Sequence, residues 1–383
     1  MNAPRVAIVH DWLDTWRGGE NVVAEIVGLY PEADLFALVD FLPDDIRARL
    51  LGKHARTSFL QRIPGARRHF RALLPLFPRA IESFDLGAYD LVLSSSHAVA
   101  KGVRTTRDQL HICYCYTPMR YAWDLREQYL AGGLGRGVRG ILVRALLDRL
   151  RDWDRDASVR VDCFVGISDF IRERIRHCYG REALVIYPPV DVDFFGLPDE
   201  PVAPTAHRYY VTASRWVPYK RIDLVVAAFR DLPERRLVVV GDGPDAARVR
   251  AAAGANVEFT GEVPRERLRQ LLQDARAFIF PAEEDFGILP VEAQACGTPV
   301  IAYGRGGSLE TVRGADVGQP TGRFFGEQTA EAIAAAVRAF EATAIDPLDC
   351  RRHAERFAAG HFRAAYSGLV DRAWVEFREA RTK

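Results

Sequence analysis

What most limits the folds open to this chain is the recurrence of short β-branched runs between longer amphipathic stretches. Val6–Val9, Leu91–Leu93, His111–Cys115, Cys163–Gly166 and Leu184–Ile186 read as buried strands of a first half, with helices such as Asn21–Leu29 and Val138–Asp152 between some of them. The second half repeats the alternation. Tyr209–Thr212, Leu237–Val240, Val257–Phe259, Ala277–Phe280 and Val300–Ala302 read as strands, and Arg221–Arg230, Asp245–Ala252, Arg265–Ala275 and Glu331–Glu341 as helices. Such alternation predicts an α/β protein with parallel sheets covered by helices on both faces, hence two Rossmann-like units.

At 383 residues, and roughly 150 residues per domain, the chain has room for two cores enclosing a ligand cleft. The break is expected at residues 187–207, where Pro188, Pro189, Pro198, Pro201 and Pro204 interrupt every periodicity. This gives a first domain over residues 1–205 and a second over 206–359. A closing helix near 360–383 carries an apolar stripe of Tyr366, Leu369, Val370, Trp374 and Phe377 and is expected to pack back on the first domain.

Composition excludes several function classes. With 48% hydrophobic and 27% charged residues the chain is neither disordered nor fibrous. A formal net charge of +1 gives no overall basic field for nucleic acid. Six scattered cysteines form no disulfide framework or Cys-x-x-Cys pair and read as small buried hydrophobes. The run Val6–Val9, broken by His10 and Asp11, is too short for a signal-peptide core, and no apolar run approaches the ~20 residues of a membrane span. A cytoplasmic location is therefore expected. Residues 46–81 stand out: they contain no Asp or Glu, and interleave Arg62, Arg67, Arg68, Arg71 and Arg79 with Phe59, Leu60, Phe70, Leu76 and Phe77. Such a segment suits an anionic membrane surface or is an irregular helical insertion packed on its own domain.

The sharpest chemical signal is PAEEDFGILPVEAQACGTPVIAYGRGG, residues 281–307. Its spacing puts Glu284 in the loop above the carboxyl end of a strand. Pro290 suits the first position of the helix that follows, with Glu292 in the first turn, where open α/β sheets bind ligands. Carboxylates accept hydrogen bonds from paired hydroxyls, so one can hold a ribose diol and the other a sugar ring. Glu292 alone would also be explained as a complement to the helix dipole. In VTASRWVPYKRID, Arg215 and Lys220 follow the first strand of the second domain and together make a clamp for a diphosphate. VVVGDGP offers Gly241 and Gly243, where a backbone can pass close to a ligand or simply turn; it is not the G-x-G-x-x-G of a dinucleotide site. In HDWLDTWRGGEN, Gly18 and Gly19 precede a helix whose free N–H groups favour phosphate.

Taken together these segments resemble the retaining glycosyltransferases of family 4, which have the GT-B fold of two Rossmann-like domains facing each other across a cleft. HDW…RGGEN, YDLVLSSSHAVAKGV, HICYCYTPMRYAWD and VIYPPVD are similar to a bacterial subgroup, the WbaZ-type GDP-mannose-dependent mannosyltransferases of surface-polysaccharide assembly. The resemblance implies catalytic roles for Arg215, Lys220, Glu284 and His97. It implies a donor site formed by Gly18, Gly19, Arg215, Lys220, Gly241, Gly243, Glu284, Phe286, Gly287, Ile288 and Glu292, with Glu292 on the ribose. An acceptor side would comprise Asp11, His97, Tyr116, Arg120, Tyr121, Trp123 and Asp124. The family works without a bound metal or other cofactor, and the one Asp-x-Asp match, Asp191 and Asp193, lies in the proline-rich connector. The expected partners are a nucleotide sugar, GDP-mannose foremost, and a glycan or lipid-linked oligosaccharide acceptor, with no nucleic acid. The alternatives are a UDP-sugar donor on the same fold, or a non-catalytic nucleotide-sugar-binding protein. His111, at the start of a strand, is expected to be packing.

Overall fold

A computed structural model describes residues 4–124, 137–199 and 209–382. The chain divides into two compact units, Met1–Pro189 with Gly360–Lys383, and Val190–Ala359.

The first unit is built on a seven-stranded, wholly parallel sheet in the order β3-β2-β1-β4-β5-β6-β7. Its strands are β1 (Val6–His10), β2 (Asp34–Ala37), β3 (Arg56–Thr57), β4 (Leu91–Ser96), β5 (Leu110–Cys115), β6 (Cys163–Gly166) and β7 (Ala183–Val185). β1, the Leu91–Leu93 half of β4 and most of β5 are apolar, as befits strands covered on both faces; every residue of β4 and β5 is buried, the serines Ser94–Ser96 included. The helix Asp169–Tyr179 shows how local signals set its bounds: the Ser168 hydroxyl accepts the Ile171 N–H at its start, and Gly180 ends it in the left-handed region at φ 64°. The closing helix, Ala359–Thr382, lays Phe362 and Tyr366 edge-on to Tyr114 of β5, at 5.6 and 6.0 Å between centroids, and its Arg363 pairs with Glu25 at 2.8 Å.

The second unit carries a six-stranded parallel sheet in the order β10-β9-β8-β11-β12-β13. Its strands are β8 (Tyr209–Ala213), β9 (Arg236–Val240), β10 (Val257–Gly261), β11 (Ala277–Phe280), β12 (Val300–Tyr303) and β13 (Gly322–Phe325). Tyr210, Trp216, Val225, Phe229, Ile279 and Phe340 are among the residues that form its core. The division falls at Pro189/Val190 rather than near residue 205. Val190 bridges to Ala358, and Val190, Val192 and Phe195 are buried, so the residues after the paired prolines belong to the second unit. The connector residues 200–207 lie outside the described residues.

The cysteines are free, and all but the half-buried Cys163 are buried. Among the described residues no helix is long and apolar enough to cross a membrane.

Candidate functional site

In a parallel sheet whose strand order reverses, the loops at the carboxyl ends of the two strands flanking the reversal diverge and leave room for a ligand. The second unit reverses between β8 and β11. Arg215 and Lys220 follow β8, and Glu284 follows β11. Lys220 and Glu284 meet side chain to side chain, Nζ to Oε1, each about four-fifths buried. Arg215 is exposed in the loop between them and the strand end.

The shapes of these loops follow from glycines. A Cβ on Gly241, at φ 112°, would lie 2.0 Å from the Ser214 carbonyl oxygen, and one on Gly243 would lie 2.3 Å from that of Trp216. The backbone that passes close to these glycines is the chain's own, held by the Trp216 N–H donating to the Asp242 carbonyl at 2.8 Å. The two glycines therefore shape the Arg215 loop. Gly306 and Gly307 do the same for Glu284: the Gly307 N–H donates to the Glu284 carbonyl at 2.7 Å, and a Cβ on Gly306 would sit 2.5 Å from that oxygen. Arg221, directly after Lys220, sits in the left-handed region at φ 52°, which an L-residue adopts only at a cost of order 1–2 kcal/mol.

Gly287, at φ 90°, opens the helix Ile288–Ala295, so the helix starts two residues before Pro290 and Glu292 is its fifth residue rather than lying in the first turn. Pro290 is tolerated because first-turn N–H groups have no partner within a helix. Glu292 is half-buried; burial, with Asp191 adding and Arg265 opposing, pushes its carboxyl up to about 7. Arg265 pairs with Asp191 at 2.8 Å and lies over Phe194 at 4.3 Å. The ring of Phe286, among the expected donor contacts, is buried edge-on against Phe357 at 5.4 Å, so its side chain packs in the fold. Ile288 remains half-buried.

The first unit reverses between β1 and β4, and here Asp11 and His97 follow the two strand ends. Asp11, expected to touch an acceptor, is wholly buried. It accepts the backbone N–H groups of His97, Ala98, Val99 and Ala100 at 2.6, 3.0, 2.6 and 2.7 Å, with His97 Nδ1 a further 3.0 Å away. Burial alone would raise this carboxyl, yet His97, by charge and hydrogen bond, and His10 hold it well below the usual carboxylate range. Its lone pairs are committed, so it serves the loop and not a ligand. His97 keeps about a third of its side chain exposed, 32%, with Trp12 edge-on at 4.4 Å. Burial would lower its pKa, but Asp11 more than compensates and raises it. Glu20, at the third position of the helix opened by Gly18 and Gly19, is buried, takes the Arg17 N–H at 2.8 Å and lies 3.9 Å from His10 Nε2. Tyr116 donates its hydroxyl to the Gly19 carbonyl at 2.8 Å and meets Ser95 Oγ at 2.8 Å.

The remaining acceptor candidates divide. Trp123 gives its indole N–H to Asp154 at 2.9 Å, so its polar edge is occupied by the fold, and Asp124 contacts Arg174. Arg120 and Tyr121 are half-buried. Asp154 was not legible as a structural centre. It also accepts from Tyr179 at 2.7 Å and pairs at 2.5 Å with Lys101, both partners fully buried. The only signal was a lysine inside the apolar run Ala98–Val103. His111 is buried, with Ser94 Oγ at 2.8 Å from Nε2 and the Arg160 carbonyl at 3.1 Å from Nδ1, which is the packing role expected of it. In the acid-free segment, Leu60, Phe70, Phe77, Ala80 and Ile81 join the first unit's core, and Phe70 and Phe77 each pack on Trp12 at 5.7 Å. Arg62, Arg67, Arg68, Arg71 and Arg79 stay exposed, with Phe59 and Leu76 beside them. Among the described residues no group of three or more His, Cys, Asp or Glu is placed to hold a metal ion.

Residues 197–357 match the family of glycosyl transferases group 1. The chain is 30% identical over 226 residues to a D-inositol 3-phosphate glycosyltransferase of Mycobacterium avium, covering 54% of this chain and 53% of that one. It is 31% identical over 177 residues to a GDP-mannose-dependent alpha-(1-6)-phosphatidylinositol monomannoside mannosyltransferase of Mycolicibacterium smegmatis, covering 39% and 46%. The chain thus spans about half the length of the curated relatives it matches. Among solved structures it resembles sucrose-phosphate synthase from Thermosynechococcus elongatus, with a TM-score of 0.70 at 19% identity over 97% and 100% of the two chains. It also resembles Anabaena HepE in complex with UDP, with a TM-score of 0.64 at 15% identity over 96% and 99%. The two parallel sheets are those of the GT-B fold, and Arg215, Lys220, Glu284 and Glu292 all lie within residues 197–357, the part that matches glycosyl transferases group 1.

Proposed function

We propose that this chain is a retaining glycosyltransferase that moves a hexosyl unit, mannose from GDP-mannose, to a glycan or lipid-linked oligosaccharide in surface-polysaccharide assembly. The observation that carries the reading is the meeting of Lys220 and Glu284, from loops after β8 and β11, beside an exposed Arg215 at the strand-order reversal. Departure of a nucleoside diphosphate leaves positive character on the sugar and negative charge on the phosphate. Fixed cations at the phosphate stabilise that charge separation more than the ground state. In this reading Arg215 and Lys220 hold the diphosphate, Glu284 accepts sugar hydroxyls, and Glu292 accepts those of the ribose. Lys220 and Glu284 neutralise one another until a donor arrives, and the donor's phosphates and hydroxyls then take the place of that pair.

The mannosyltransferase named above supports GDP-mannose as the donor; HepE crystallised with UDP supports the alternative of a UDP-sugar. On the first unit, His97 and Tyr116 are the residues proposed to meet sugar or acceptor hydroxyls. Retention is proposed to proceed by front-face attack and without a metal. Asp191 of the Asp-x-Asp match is engaged with Arg265, and its Oδ1 accepts the Phe194 N–H at 3.3 Å. The exposed arginines of residues 62–79 are proposed to bring the enzyme to an anionic membrane surface.

The test is to incubate the purified chain with GDP-mannose, GDP-glucose and UDP-hexoses and follow slow release of the nucleoside diphosphate, with Glu284→Ala as control. Release from GDP-mannose that is lost in the variant supports the reading. Release from UDP-sugars alone would replace the donor. Tight binding without any release would favour the non-catalytic alternative.

A further inference from the structure

The Asp11 carboxylate is fully buried and engaged, and nothing in the proposed chemistry consumes it. Four consecutive backbone N–H groups, His97 to Ala100, close on its two oxygens from a strand end 86 to 89 residues away in sequence. An oxygen that receives two N–H donors and belongs to an ionised carboxylate can only accept. His97 Nδ1, 3.0 Å from that oxygen, must therefore carry a hydrogen. In the neutral ring the lone pair is then on Nε2, for which the structure gives no partner among the described residues.

The turn itself is doubly held. Lys101, fully buried, donates from Nζ to the Ala98 carbonyl at 2.7 Å and pairs with Asp154, so the peptide chain from 97 to 101 is fixed at both ends. Trp12, next to Asp11, packs edge-on to the imidazole and limits its rotation. The ionisable groups around the ring are Asp11 and His10 at the end of β1, Glu20 on the helix Gly18–Leu29, Lys101 after β4 and Tyr116 after β5.

We infer that Asp11 is a positioning residue for glycosyl transfer: it fixes the 97–100 turn and locks His97 with Nδ1 protonated, so that Nε2 is the ring atom offered to a donor or acceptor hydroxyl. This rests on the glycosyltransferase reading. The arrangement gives an imidazole one orientation and one tautomer before any substrate arrives, so no binding energy is spent on selecting them. The carboxylate also favours the charged ring, moving its titration upward from the ordinary value.

The test uses the full chain with ¹⁵N-labelled histidine, the His97 signals being assigned by their loss in His97→Gln. Long-range proton–nitrogen correlation spectra distinguish the two tautomers directly. The expected result is an Nδ1–H ring in the wild-type protein, titrating above the ordinary histidine midpoint. In Asp11→Asn the midpoint should fall and kcat/KM should drop roughly 10–100-fold, with the corresponding limb of its pH profile moving in the same direction. An Nε2–H ring in the wild type overturns the inference, as does an unmoved midpoint in a folded Asp11→Asn. The wild-type tautomer needs no variant, so a poorly folding Asp11→Asn leaves the question decidable. Absence of turnover with every nucleotide sugar refutes the glycosyltransferase reading instead, and the spectra still report the ring, so the two failures are told apart.

Discussion

Replacing Gly241 by alanine should disrupt the Arg215 loop, and the size of the effect follows from geometry. The added Cβ would stand 2.0 Å from the Ser214 carbonyl oxygen, 3.0 Å from its carbon and 3.3 Å from Trp216 Nε1. Ordinary carbon–oxygen contacts begin near 3.3 Å, so the two segments must part by more than an ångström, and a backbone carbonyl cannot rotate aside as a side chain would. Separation breaks the pairing that the Ser214 and Trp216 N–H groups make with the carbonyls of Val240 and Asp242. A φ of 112° is itself unfavourable for an L-residue. Backbone strain of about 1–3 kcal/mol and overpacking of about 1–3 kcal/mol sum to roughly 2–6 kcal/mol. A chain of two units need not unfold in one step, so the assay is hydrogen exchange resolved by peptide. Amides of β8 and β9 should exchange at least about 30-fold faster, the factor that 2 kcal/mol represents. Gly28→Ala is the control: a Cβ there meets nothing within 4 Å in a regular helix, and the change should be neutral or stabilise by up to about 1 kcal/mol. Exchange in Gly241→Ala within twofold of the wild type would refute the reasoning.

Three further outcomes are expected. Lys101→Met leaves Asp154 buried with its Trp123 and Tyr179 donors but without its cation, and should cost about 3–5 kcal/mol in urea unfolding followed by a first-unit probe; a loss below about 1 kcal/mol would show the pair to be dispensable. The Glu292 carboxyl, raised to about 7 from an ordinary value of 4.5, stays protonated in the fold while the unfolded chain ionises, so stability present at acid pH is lost as pH rises between those values. The loss should be about 2 kcal/mol, less than the full shift implies because the residue keeps some exposure, and Glu292→Gln should remove that part of the unfolding profile. Finally, Arg67, Arg68 and Arg71 changed together to Glu should abolish co-sedimentation with vesicles of anionic lipid at moderate salt, while equal sedimentation of variant and wild type would assign the segment to packing alone.

The sequence made the parts that rest on local periodicity legible, and left obscure those that depend on distant partners. The ten strands with β-branched or aromatic runs were visible. β2, β3 and β13 were not, because Asp-Leu-Phe-Ala, Arg-Thr and Gly-Arg-Phe-Phe are two to four residues long and each carries a charge, and β3 and β13 lie at sheet edges. Five prolines marked the connector but not its end, since Val190–Phe195 reads as linker until Val190 is seen beside Ala358. At the site, strand-end spacing was enough to bring Lys220 and Glu284 to one sheet edge. It was silent about Asp11 and Trp123. A carboxylate or an indole after a strand looks ready for a ligand, and only the fold reveals that His97–Ala100 and Asp154 have already occupied them. The glycines at 241 and 243 left two readings open for the same reason: sequence shows that something passes close or turns, not that it is Ser214 and Trp216 that pass.

The claim on which the account turns is that the loops after β8 and β11 grip a nucleotide sugar by its diphosphate. Isothermal titration of the wild-type chain and of Arg215→Ala and Lys220→Ala with GDP, GDP-mannose and guanosine tests it most directly. The account predicts that GDP and GDP-mannose bind the wild type and that guanosine binds far more weakly. Each variant should lose roughly tenfold or more in affinity for the two diphosphates and little for guanosine. Equal binding of guanosine and GDP, or diphosphate affinity unchanged in both variants, would contradict it.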